Sequence, residues 1–170
     1  MGIVKLLFRN LLKGPSTDPF PFGDTFTPKA LRGRIEFDAS RCTGCRMCEY
    51  VCAGGAIRFQ ETDAGLKFHL WHNSCAFCGL CEHYCVPGAI EMTQDWHLAH
   101  PQQEKYTMVE QGVVRRLPCE GCQTAMVPTT ERLIGRAYAG SNAAIESLSR
   151  LCPDCRRQRS ARQLTKGELL

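Results

Sequence analysis

The chain has 170 residues, 44% hydrophobic and 22% charged, a balance that supports a packed core and excludes wholesale disorder. Its 12 cysteines are far above ordinary usage yet too sparse for a miniature disulfide scaffold, and no uncharged apolar run approaches the roughly 18 to 20 residues that span a bilayer. The formal charge of +4 describes neutral thiols, so the basic balance is no argument for nucleic acid.

Residues 1–13 predict an amphipathic helix, with Lys5, Arg9 and Lys13 on one stripe and Ile3, Val4, Leu6, Leu7, Phe8, Leu11 and Leu12 around much of the remainder. Its charges and the lack of a small-residue cleavage site do not read as a secretory signal, and Leu6 stands where myristoylation wants Ser or Thr. So wide an apolar face is expected to meet a membrane surface, a partner subunit or the chain's own domain. In a reducing cytoplasm, the expected compartment, cysteines at two-residue intervals bind metal. Residues 14–29 interleave Pro15, Pro19, Pro21 and Pro28 with Phe20, Phe22 and Phe26, which predicts an extended arm lying over a surface through its phenylalanines. Helix and arm together make a first segment, 1–30.

Over 31–95 the chain repeats itself: C-T-G-C-R-M-C-E-Y-V-C-A-G-G-A-I from Cys42 to Ile57 returns as C-A-F-C-G-L-C-E-H-Y-C-V-P-G-A-I from Cys75 to Ile90. Each half predicts a strand (34–37; 67–71), a cysteine loop, a short helix ending near the fourth cysteine, and a second strand from Ala56 or Ala89. Residues 61–65 supply turn chemistry for a hairpin between the halves. The expected fold class is α+β: a ferredoxin-like, pseudo-twofold core for two clusters.

A four-iron cluster needs thiolates converging from one short loop, and C-x2-C-x2-C-x3-C provides them, with the fourth cysteine serving the other cluster in two-cluster ferredoxins. One [4Fe-4S] site would then take Cys42, Cys45, Cys48 and Cys85, and the other Cys75, Cys78, Cys81 and Cys52. A pair of zinc sites is the alternative, although zinc has no use for the third cysteine of each run. Proline usually follows the fourth cysteine; Ala53 and Val86 stand there instead, and each keeps a backbone N–H able to reach a cluster sulfur.

Residues 96–118 show weak patterning and read as a connector. The last segment, 119–170, holds Cys119, Cys122, Cys152 and Cys155, two C-x2-C knuckles separated by the stretch 123–151. Four such thiols suit one tetrahedral ion, zinc or a rubredoxin-type iron; a third four-iron cluster is the alternative. Between the knuckles two short helices are expected, one capped by Thr129 or Thr130 and ended by Gly140, the other capped by Ser141 with Ile145, Leu148 and Leu151 on one face. The metal would staple a small helical unit with little core, followed by a basic tail, Arg156 to Lys166. Two clusters and a divalent ion, each contributing about −2 with its four thiolates, bring the +4 to roughly −2. His83, His97 and His100 read as surface or packing histidines, and Glu49 and Glu82 as solvated helix charges. No nucleophile-base pair, phosphate loop or flavin fingerprint is present, so no catalytic centre and no small-molecule substrate are expected.

The order of basic amphipathic helix, Pro-rich arm, Arg32-Gly33-Arg34 and two four-iron motifs resembles the iron-sulfur subunit of respiratory complex I that wires clusters toward the quinone end. With the ending Cys152-Pro153-Asp154-Cys155-Arg156-Arg157-Gln158, the chain more closely resembles the iron-sulfur subunit of formate hydrogenlyase and its hydrogenase-4 relatives. The resemblance implies a membrane-associated subunit facing the cytoplasm, relaying single electrons between a formate dehydrogenase or ferredoxin-like subunit and the small subunit of a nickel-iron hydrogenase. A free soluble ferredoxin and a zinc-stapled interaction module are the alternative readings.

Overall fold

A run free of proline and interior glycine forms α1, Ile3–Lys13, and Gly14 ends it with a positive φ (77°), its N–H donating to the Asn10 carbonyl. The computed structural model describes residues 2–14, 17–20, 22–127, 129–138 and 142–165, so Pro15, Pro21, Gly140, Ser141 and Lys166 lie outside the described residues. The chain divides into two units, Met1–Leu31 and Arg32–Leu170. In the first, no residue of α1 is buried, and the described arm residues form no helix or strand. Phe22 and Phe26 are exposed.

In the second unit the repeats exchange strands. β1 (Ile35–Phe37) pairs antiparallel with β4 (Ile90–Met92), Glu36 facing Glu91, while β2 (Ile57–Thr62) forms an antiparallel hairpin with β3 (Gly65–Trp71) through the Asp63-Ala64 turn. Each pair thus joins a strand of the first half to one of the second. α2 (Met47–Tyr50) and α3 (Leu80–His83) are single turns at equivalent repeat positions. The architecture is a mixture of α and β with small antiparallel sheets and a C-terminal helix.

The core lies between these elements. Ile35, Ile57, Leu70, Phe68 and Ile90 are buried, and Cys48 and Cys81 join them. Each fully covered aliphatic or aromatic side chain contributes roughly 1.5–3 kcal/mol through lost apolar surface. Phe37 stacks on Phe68 with ring centroids 3.9 Å apart, and Phe59 meets Phe68 edge-on.

The connector holds a strand that its patterning did not announce: β5, Val109–Val114, pairs antiparallel with the free edge of β3. A two-strand hairpin, β6 (Leu117–Pro118) with β7 (Ala125–Met126), carries the first knuckle. α4 (Glu131–Ala137) starts at Thr130, whose hydroxyl makes no capping bond. α5 (Ala143–Ser149) is capped by Asn142, whose side chain accepts from the Ile145 N–H. The basic tail is itself helical: α6, Pro153–Thr165, begins at the second knuckle with proline in the first turn, where no N–H is missed.

Candidate functional site

The two cysteine loops share one backbone conformation. Positive φ recurs at equivalent positions of the two repeats: Gly44 (63°) and Phe77 (50°), Arg46 (60°) and Gly79 (80°), Gly55 (58°) and Gly88 (65°). In the first two pairs glycine holds one loop, and a side chain accepts the left-handed strain in the other. The hydrogen bonds to sulfur repeat as well. Gly44 N–H and Phe77 N–H donate to Cys42 Sγ (3.3 Å) and Cys75 Sγ (3.4 Å), and Ala56 N–H and Ala89 N–H donate to Cys52 Sγ (3.2 Å) and Cys85 Sγ (3.1 Å). The amides reaching the fourth cysteines therefore belong to Ala56 and Ala89; among the described residues those of Ala53 and Val86 make no such bond.

All 12 cysteines are free thiols. Cys42, Cys48 and Cys81 are buried, whereas Cys45 and Cys78 are exposed. Burial pushes Cys42 up to about 11, and Cys45 and Cys85 add like charge. Burial first, then charge on Cys42, Cys45, Cys85 and Cys81, takes Cys48 up to about 12. Cys81 rises to about 11 through burial, with Cys75, Cys52 and Cys78 as charged neighbours. Cys52, Cys75, Cys78 and Cys81 also line one cavity with Ile35, Ile57 and Leu70. Such convergent, mutually repelling thiols in an apolar setting suit a cationic metal centre.

The other four cysteines come together more tightly. The sulfurs of Cys119, Cys122, Cys152 and Cys155 all lie within 4.8 Å of one another, with Cys122 and Cys152 3.6 Å apart. Cys119 is fully buried, and the Cys152 N–H (3.1 Å) and Gly121 N–H (3.4 Å) point at its sulfur. These backbone donors, Cys152 foremost, lower Cys119 to about 6, while Cys122, then Cys152, raise Cys155 to about 12. Gly121 keeps this space open: a Cβ there would stand 3.0 Å from Cys155 Sγ, and the sulfur would have to give way.

Among the histidines, His97 Nδ1 meets Asp95 Oδ1 at 2.7 Å and His83 stacks edge-on against Tyr84. His100 Nδ1 lies 2.5 Å from the Leu98 carbonyl. The buried one is His72, which sequence pattern did not single out. Its Nε2 accepts from the Ile35 N–H at 3.2 Å, its Nδ1 has no partner among the described residues, and burial lowers its pKa. Three arginines also reach the loops: Arg32 donates to the Cys78 carbonyl (2.9 Å), Arg136 donates to the Val86 carbonyl, and Arg132 lies against Gly88. Their chain separations from the loops left no local signal.

No curated protein sequence matches this chain. Among solved structures, it is similar to a chain of the membrane-bound sulfane sulfur reductase, an archaeal respiratory membrane complex, with 24% identity and a TM-score of 0.45. The match covers 63% of this chain and 60% of that one, so the chain spans about three fifths of its neighbour's length. Residues 34–57, which carry Cys42, Cys45, Cys48 and Cys52, match the family model of a 4Fe-4S binding domain. The donors and the match together support at least one iron-sulfur cluster.

Proposed function

We propose that this chain is an electron-transfer subunit that holds two [4Fe-4S] clusters and one structural ion. The observation that carries the reading is the duplication of one loop conformation, with its N–H···S bonds, around eight cysteines. Cys42, Cys45, Cys48 and Cys85 hold one cluster; Cys75, Cys78, Cys81 and Cys52 hold the other. Cys42 feels the charge of Cys45 and Cys85, and Cys81 that of Cys75, Cys52 and Cys78, with Cys48 and Cys81 adjoining across the two sets; the cavity lined by Cys52, Cys75, Cys78 and Cys81 supports the second set. When bound, such a cluster supplies a one-electron couple. The chain's residues do the rest: buried Cys48 and Cys81 exclude water, backbone amides stabilise thiolate charge, and Cys45 and Cys78 give each site an exposed edge.

The C-terminal quartet holds a single ion, zinc in our reading. Tetrahedral thiolate bonds of about 2.3 Å place sulfurs about 3.8 Å apart. The observed spacings support that size, whereas a cubane's thiolates bind four different irons and stand farther apart. The chain then works as a non-catalytic wire on the cytoplasmic face of a membrane-associated complex, formate hydrogenlyase or another complex-I-like nickel-iron hydrogenase, relaying single electrons between a donor subunit and the hydrogenase small subunit. The sequence resemblance supports this placement, as does α1; no helix is long and apolar enough to cross a membrane among the described residues.

Metal and acid-labile sulfide per chain, measured on anaerobically prepared protein, test the reading. About eight iron, eight sulfide and one zinc are expected. About three zinc and no sulfide would overturn it in favour of a zinc-stapled interaction module.

A further inference from the structure

The repeat supplies its own control for what surrounds each site. Ala53-Gly54-Gly55 after Cys52 corresponds, in the second repeat, to Val86-Pro87-Gly88 after Cys85. The first of these segments is exposed throughout; in the second, Pro87 is buried and Gly88 half-buried. The cover comes from the C-terminal segment. Arg136 Nη1 of α4 donates to the Val86 carbonyl, and the Arg132 guanidinium occupies the space a Cβ on Gly88 would need. Just before α4, Val127 packs on the buried group of Cys42, Leu66, Ala89 and Val114, and a Cβ on Gly44 would stand 3.2 Å from it. A Cβ on Gly55, the counterpart of Gly88, would meet nothing within 4 Å.

Other cations near the loops are accounted for differently. Arg41 is paired with Asp38 and Glu91, and Arg46 with Glu61, so their charge is largely offset. Arg32, which donates to the Cys78 carbonyl, is the arginine on the second set of cysteines. Among the described residues, two guanidiniums therefore bear on the loop of Cys85 and one on the loop of Cys78.

Resting on the two-cluster reading above, we propose that Arg132 and Arg136 are positioning residues that make the Cys42–Cys45–Cys48–Cys85 site the higher-potential of the two. One electron from a low-potential one-electron donor adds one unit of negative charge at a site, with no bond broken and no proton needed. Positive charge held nearby stabilises that added charge and raises the potential. The C-terminal unit thereby breaks the symmetry of the repeat and makes the site under α4 the place where a single electron rests. Charge sets this difference, whereas the covering of the loop alone would act the other way, by excluding water that favours the reduced state.

The test is an anaerobic redox titration of the full holoprotein with dithionite, followed by electron paramagnetic resonance, on the native chain and on Arg132→Gln/Arg136→Gln, Arg132→Lys/Arg136→Lys and Arg32→Gln variants. The glutamine pair is expected to lower the higher midpoint and leave the lower one in place; the lysine pair is expected to restore it, and Arg32→Gln to lower only the lower midpoint. An unmoved higher midpoint in the glutamine pair, or a lysine pair that behaves like it, would overturn the proposal. Iron per chain is counted on each sample. About four iron with a single wave in the native protein would instead sink the two-cluster reading itself, a failure distinct from two waves that ignore the arginines.

Discussion

Gly112 shows how much of this structure is decided by a single missing side chain. It lies within β5, where glycine ordinarily weakens a strand, yet a Cβ there would stand 2.6 Å from Phe37 Cδ1. Phe37 in turn stacks on Phe68, which is fully buried at the centre of the core. Gly112→Ala should therefore push the Phe37 ring off that stack and cost about 1–3 kcal/mol, the usual penalty for overpacking. A denaturant titration of the variant against the parent, both with metal bound, measures it; an unchanged midpoint would mean the ring moves freely. The candidate cysteines stood out from spacing because each sits in a short, local motif. The contacts of Gly112, His72, Arg132 and Arg136 were not legible, because each depends on residues far along the chain.

At the scale of elements, legibility followed periodicity. The hairpin turn, the single-turn helices and the strands flanking each loop could be placed from the repeat, whereas β5 could not. Its Gly112 and half-buried pattern erase alternation, and its stability comes from pairing with β3. The helix α6 was read as a tail because its face is almost wholly basic and polar, so no apolar stripe marked it. α1 is the opposite case, periodic and apolar, and the structure leaves Ile3, Leu7, Leu11 and Leu12 each at least 66% exposed. Lys5, Arg9 and Lys13 along one stripe match an anionic lipid surface. In our reading of α1 as an interfacial helix, Leu7→Glu with Leu11→Glu should reduce recovery of the holoprotein with vesicles containing anionic phosphatidylserine by tenfold or more in a flotation assay. Recovery equal to the parent's would assign this face to a protein partner instead.

On the scale of the whole molecule, the proposed ion should matter more to the C-terminal segment than to the sheets. Its buried cluster consists of Cys119, Leu151 and Cys152, so two of its three members are ligands in our reading, while the sheets rest on Ile35, Ile57, Phe68, Leu70 and Ile90. Without the ion, four sulfurs within 4.8 Å would share protons and repel one another. The lowered Cys119 favours the thiolate in the folded state; its contribution is present above the ordinary thiol range and is lost as pH falls through about 6. Acidification and chelation should thus act on the same region. After anaerobic chelation with a zinc-selective chelator, hydrogen exchange should show amides of α5 and α6 losing protection while β2, β3 and β5 keep theirs, and acidifying the metal-loaded protein should open the same region, because protons compete with the ion for the four thiolates. Uniform loss of protection across both regions would mean that the knuckles and the sheets fold as one cooperative block. If only the knuckle region opens, the metal governs the segment that carries Arg132 and Arg136, and through them the loop of Cys85.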